Sequence, residues 1–328
     1  MWPNFTRITA EPGCRLSEKV AIRAPDDEVV VPLVNGMDDE PSRRFSPLLG
    51  PEAFPPLSAR VQVEFGAATR RGPRRVQNAD HHLIVRLARS QETVLTSLPP
   101  AVVPLPFDES GFAMVVADGE AEAASRLALS TLVHLALHFG KWNLRIDYDV
   151  AREVMDRIER FYRQVDGVVS DRRLAEPVWA GMHTTMTAVM SAGRDCFIAH
   201  VGHSRAYLYR EGELMPVTRD HTVDSARGRL ATVTAVAADL QHALTDCIGH
   251  GGAGVRLVDV EHFRLLDDDR LLLCTNGLTD ATPDSSLAAV LGGDLTPADQ
   301  SRTLVDMALD AGGTDDATAV IARYHIPA

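Results

Sequence analysis

No apolar run in this sequence approaches the roughly 20 residues that a bilayer-spanning helix needs. The N-terminal stretch "MWPNFTRITAEPGC" lacks the basic segment followed by an apolar run that marks a signal peptide, so none is expected. Cysteine is sparse: Cys14, Cys196, Cys247 and Cys274 are scattered, with no C-x-x-C spacing. That usage fits reduced cytosolic thiols better than a disulfide framework or a zinc site. Positive charge is also short, with 33 Lys and Arg against 45 Asp and Glu and a net charge of −12. A phosphate backbone is therefore not the main ligand, although "RRGPRR" at 70–75 is a local basic patch. These absences leave a soluble cytoplasmic protein, with neither nucleic acid nor membrane as partner, as the expectation.

What is present is enough apolar material for a large core. Of 328 residues, 45% are apolar and 24% charged, which accommodates one large domain plus an appendage or two small domains. Residues 1–56 are rich in Pro, Asp and Glu, and only "EVVVPLV" there reads as a strand. They are expected to form a partly ordered N-terminal extension, and 57–328 the domain proper.

From about residue 58 the pattern becomes regular. "ARVQVEFGAATR" (59–70) and "HHLIVRLA" (81–88) alternate as strands, and a Pro-rich loop over 97–111 precedes the buried strand "FAMVVAD" (112–118). A buried helix follows over "EAEAASRLALSTLVHLALHFG", and an amphipathic one over 148–165 carries Val150, Val154, Ile158 and Phe161 on one stripe. Hairpins are expected around "SAGRD" and around Glu211-Gly212. The Gly-rich segment 219–254 reads as a helical flap. Two more strands end at "LLLCTNG", a capped helix starts after Thr296, and "ATAVIARYHI" closes the chain. Strands, two helices, many strands, one helix and one strand make an α+β order with antiparallel sheets, not repeated βαβ units.

Polar residues recur at strand ends and in turns: "NAD" (78–80), Asp118-Gly119, "GHSR" (202–205), Asn276-Gly277 and "GGTDDAT" (312–318). Singly, each Asp is a turn or cap residue. Together they suggest carboxylates converging on one sheet edge, as an oxygen-ligated magnesium or manganese site requires.

The run "HVGHSRAYLYREGELMPVTRDHT" (200–222) resembles the signature of the metal-dependent protein phosphatases, the type 2C serine/threonine family. "RVQNAD" (75–80), "VVADG" (115–119), "HTT" (183–185), "CTNGLTD" (274–280) and "TDDATAV" (314–320) are similar to the family's other motifs, in the family's order, over roughly residues 60–326. The resemblance implies a four-layer α-β-β-α sandwich, two antiparallel sheets flanked by helices, with a two-metal site at one end. There the metals lower the pKa of a water and aim it at a phosphoserine or phosphothreonine. By motif position, Asp118 and the Gly119 carbonyl would bind metal, with Asn276 and Asp315 completing one site. Asp80 would hold metal-bound water, and Arg75 would pair with the substrate phosphate. The implied partners are a phosphorylated protein substrate or a signalling partner, as in a Ser/Thr kinase system.

The departures from the family pattern matter equally. Ala79 stands where the family has Glu, "EAEAAS" replaces a glycine loop, and His203 and Asn276 replace carboxylates. Glu120 is a candidate replacement oxygen. Each lost anionic ligand weakens cation attraction in a low-dielectric pocket, so the resemblance implies one Mn2+ or Mg2+ rather than two. Asp315 and Asp316 leave the register open by one residue. His203 is read as a hydrogen-bonded turn histidine rather than a nitrogen ligand, and His81, His82 and His183 as structural. Ser204, Asp220 and His221 are not read as a triad, because no nucleophile elbow accompanies them. Two functions remain: a divergent phosphoserine/phosphothreonine phosphatase of low activity, or a catalytically inactive module that binds a phosphoprotein or partner.

Overall fold

The computed structural model describes residues 60–99, 103, 106–141, 143–227, 243–250 and 254–327. The expected extension over 1–56, its "EVVVPLV" strand and the middle of the 219–254 flap lie outside the described residues. The elements in chain order are β1 (Gln62–Arg70), β2 (Asp80–Gln91), β3 (Phe107–Asp118), α1 (Glu122–Phe139), α2 (Tyr148–Ala175), β4 (Met186–Ala192) and β5 (Asp195–Val201). They continue with β6 (Arg205–Arg210), β7 (Glu213–Pro216), α3 (Val223–Arg227), β8 (Asp259–Arg264), β9 (Arg270–Cys274), α4 (Asn276–Thr279), α5 (Asp284–Leu291), α6 (Pro297–Asp310) and β10 (Ala317–His325).

Ten strands form two five-stranded sheets, ordered β1-β10-β9-β6-β7 and β2-β3-β4-β5-β8. Every pairing is antiparallel. Burial explains the layers. All five residues of β9 are buried, with Leu271 and Leu273 in the core between the sheets and Leu272 and Cys274 in a second core with α5 and α6. An unbroken apolar run in an antiparallel strand is what a strand covered on both faces requires. Each fully buried leucine is worth about 2 kcal/mol. The second sheet repeats the arrangement: Met114 and Val116 face the inter-sheet core, while Val115 and Ala117 pack with Ala128, Leu129, Tyr162 and Val165 of α1 and α2. The result is the expected four-layer α-β-β-α sandwich.

Local signals place the helices. Asp147 caps α2 by accepting from the Val150 amide, and Thr296 caps α6 by accepting from the Asp299 amide, with Pro297 at the first helical position. Three boundaries differ from expectation. Residues 107–111 belong to β3, not to the Pro-rich loop, because they pair in register with Leu87–Gln91. Helix α2 runs to Ala175 rather than 165, since Val165 and Val169 continue its buried stripe. The expected tight turn after β9 is the one-turn helix α4, followed by the unexpected α5, whose Leu287 and Leu291 complete the outer core. The flap contributes α3 and two bridges, Thr222 with Leu244 and Thr184 with Ile248.

Candidate functional site

The register of β2 against β3 sets Asp80 opposite Asp118, at the first residue of one strand and the last of the other. Asp80 also ties the two sheets together. Its Oδ2 accepts from the Thr275 hydroxyl at the end of β9 and from the Thr318 hydroxyl of β10, both at 2.7 Å. Its Oδ1 is buried and meets no donor from the protein. Asp118 is nearly as enclosed, its side chain 11% exposed. Both carboxyls are held above the ordinary carboxylate range, by burial first. For Asp80 the two threonine hydroxyls oppose the rise, and for Asp118 the neighbouring Asp80 and Asp315 charges add to it.

Around the pair stand the other residues of interest. Asp315 Oδ1 accepts from Arg75 Nε at 2.6 Å and from the Asp316 amide at 2.9 Å. That contact, above all, raises the Arg75 guanidinium pKa further. Arg75 Nη1 also reaches the Glu120 carbonyl at 3.4 Å, and Glu120 is exposed. The register between the two acids resolves: Asp316 is buried and structural, accepting from the Gly72 and Ala79 amides at 2.8 and 2.7 Å. Asp315 is the one that faces Arg75.

Asn276 opens α4 directly after Thr275. Its Nδ2 donates to Asp280 at 3.2 Å, and its Oδ1 is buried without a partner. The helix can start there because Gly277 packs on the Asp316 carbonyl. A Cβ at that position would lie 2.0 Å from the carbonyl oxygen. His203 is not the hydrogen-bonded turn histidine expected. Its buried Nδ1 takes no hydrogen bond and lies 3.8 Å from Asp118 Oδ2, and burial lowers its pKa. The turn that presents it depends on Gly202, at φ 113°, where a Cβ would strike the Thr185 side chain at 2.5 Å. His81 and His183 bond Ser125 and the Gly181 carbonyl, as structural histidines do. No triad forms: Ser204 bonds Thr185, Asp220 bonds Arg205, and His221 bonds Asp259.

The oxygens without a partner suit a hard cation by their chemistry: Asp80 Oδ1 and Asn276 Oδ1 are buried and unmet, and the Asp118 carboxyl stands opposite Asp80. Burial first, with neighbouring carboxylates adding to it, holds both carboxyls above their ordinary range. Among the described residues no group of three or more His, Cys, Asp or Glu side chains is arranged to hold a metal, so the set depends on an amide oxygen. Sequence reasoning missed Thr275 and Thr318, the clamp on Asp80. A threonine inside a strand carries no signal of its own until pairing brings the two strand ends together.

No protein-family model matches the chain. Curated relatives include the serine/threonine protein phosphatase PstP of Mycobacterium tuberculosis, 29% identical over 202 residues. That match covers 61% of this chain but 37% of the relative's length. The serine/threonine phosphatase stp of Listeria monocytogenes is 25% identical over 223 residues, 65% of this chain and 84% of its own. The protein phosphatase PhpP of Streptococcus pneumoniae is 30% identical over 153 residues, 46% and 61% of the two chains. Among solved structures, the catalytic domain of PstP in complex with two manganese ions superimposes with a TM-score of 0.59 at 24% identity, covering 81% of this chain and 99% of that one. Stp1 from Staphylococcus aureus gives 0.63 at 22%, covering 80% and 95%. These structural likenesses establish the fold.

Proposed function

We propose, for a chain that belongs to the metal-dependent type 2C protein phosphatase family, that residues 57–328 form a catalytic domain removing phosphate from phosphoserine or phosphothreonine in a protein substrate. The observation that carries this reading is the Asp80–Asp118 pair, two enclosed carboxyls set opposite each other, held above their ordinary range by burial first, with one oxygen unmet. A cation is what such a pair lacks. Asp118, the Gly119 carbonyl, Asn276 Oδ1 and Asp315 would hold one Mn2+ or Mg2+, which when bound supplies Lewis acidity beside the phosphoryl group.

The chain's own residues account for the rest. Thr275 and Thr318 hold Asp80 through Oδ2 and leave Oδ1 unmet, to orient an attacking water and take its proton. Arg75 lies beside the pair with its side chain 28% exposed, able to turn two guanidinium N–H groups onto phosphate oxygens on leaving Asp315. Ala79 and Asn276 each remove one anion that a fully charged site would have, which is why we place the activity low. The free cysteines Cys196, Cys247 and Cys274 suit the cytoplasm as its setting.

A second reading, an inactive module that grips a phosphoprotein, is favoured by the Arg75–Asp315 pair, which occupies a phosphate-binding group and a metal ligand at once. One experiment separates the two. Phosphate release from a phosphothreonine peptide is followed with Mn2+ or with chelator, in the native chain and in Asp118→Ala. Metal-dependent release that Asp118→Ala abolishes supports the enzyme. Saturable peptide binding with no release by the native chain assigns the binding module instead.

A further inference from the structure

A cavity of about 350 Å³ lies between the second sheet and the α1–α2 layer, on the far side of that sheet from the inter-sheet core. Close-packed interiors hold few voids larger than a water. This one is more than twice the roughly 150 Å³ of an apolar cavity that binds benzene, and it falls in the size range of ligand pockets, about 300–1,000 Å³. Its walls come from both layers: Leu83 and Val85 of β2, Ala188 of β4, Leu132 and Ala136 of α1, and Phe161 of α2. All six keep residual exposure, although side chains placed between a sheet and its covering helices are ordinarily buried. On β4, Thr187 is buried, while Ala188 and Met190, which line the cavity, are half-buried.

The charged side chains of the lining are of one sign. Arg86, Lys141 and Arg157 contribute, beside the neutral Asn143, Tyr162 and Ser191, and no Asp or Glu is among the described lining residues. Arg157 is buried to 8% exposure, its guanidinium donating to Glu153 and to the Lys141 carbonyl, where the chain leaving α1 passes over α2. Glu153 also takes Lys141 Nζ at 2.8 Å, so one carboxylate serves two cations there. At the open side Leu137, in the lining, and Phe139 beside it are each 64% exposed, an apolar rim. In a chain of net charge −12, an apolar chamber with a cationic edge is a specific combination.

We propose that this cavity is a binding site for an anionic amphiphile: a hydrocarbon body of medium length inside, and a carboxylate at the Lys141–Arg157 edge. The hydrocarbon fills a volume that water enters poorly, and the head group completes the charge that Glu153 leaves in excess. The site stands apart from the Asp80–Asp118 pair and does not depend on the phosphatase reading.

Decanoate, kept below its micelle concentration, is titrated calorimetrically into the full chain, with decanol as the neutral counterpart. Binding of one decanoate per chain with a rise in Tm is expected, together with at least about tenfold weaker binding of decanol. Filling the cavity by Ala188→Phe abolishes binding. If that variant does not fold, Ala136→Leu on the opposite wall serves instead and weakens binding. Lys141→Glu, on an exposed side chain, reduces decanoate affinity about tenfold and leaves decanol unchanged. Absence of saturable decanoate binding, undiminished binding in the folded cavity-filling variant, or decanol binding as tightly as decanoate overturns the proposal.

Discussion

A single carboxylate, Asp80, joins the two sheets at the end of the sandwich where the site lies. Its two threonine donors come from the other sheet, Thr318 within β10 and Thr275 directly after β9, so a residue in the site is also a cross-sheet tie. Thr318→Val removes one donor and leaves the buried carboxyl short of a bond. A loss of about 1–3 kcal/mol is expected in urea unfolding of the metal-free protein, with an unchanged slope. At Asn276 the change works in the opposite direction. Asn276→Asp restores an anion beside an unmet oxygen site, and manganese-dependent phosphate release is expected to rise at least about tenfold, roughly 1.4 kcal/mol in barrier. No change in that assay would show that the amide does not limit the reaction. Asp80, Asp118, Asn276 and Asp315 could be picked out as one group in the sequence because each ends or begins an apolar strand. Their converging on one place, and the threonines between them, required knowledge of which strand ends become neighbours.

Among the elements, the strands were readable and the short helices were not. Period-two alternation and Gly turns announce β1 and the β6–β7 hairpin, and Pro with a Thr cap announces α6. Helix α5, eight residues written "DSSLAAVL", is too short to show a period and has no side-chain cap bond, so only its packing under β9 reveals it. The β4–β5 pair brings together a titratable cluster whose behaviour also depended on tertiary contacts. His200 on β5 bonds Thr187 of β4 and the Arg219 carbonyl, against His221. Burial, then the His221 charge, lowers its pKa from 6.5 to about 3. The folded chain thus keeps His200 neutral where the unfolded chain takes up a proton. Its stability contribution is full above pH 6.5 and is lost as pH falls from there toward about 3. Unfolding followed from pH 7 to pH 5 is expected to steepen by up to about 1.4 kcal/mol per unit from this group. His200→Gln should flatten that component.

For the whole molecule, the proposed cation is expected to add stability, because the carboxyls that surround it are buried and close together. Chelator-stripped protein is expected to gain thermal stability on adding Mn2+, by about 2.7 kcal/mol at a hundredfold excess over Kd. Asp118→Ala should show no such gain, and a gain that survives the substitution would place the ion elsewhere. The Arg75–Asp315 contact at 2.6 Å has a further consequence. Arg75 holds Asp315 through Nε, and turning onto a phosphate on leaving it would free that carboxylate for a cation. On the proposed reading, phosphate and metal would then be cooperative ligands: each would bind more tightly in the presence of the other, by the same factor in both directions. Manganese titrations run with and without inorganic phosphate should show it, and in Arg75→Ala the two affinities should become independent.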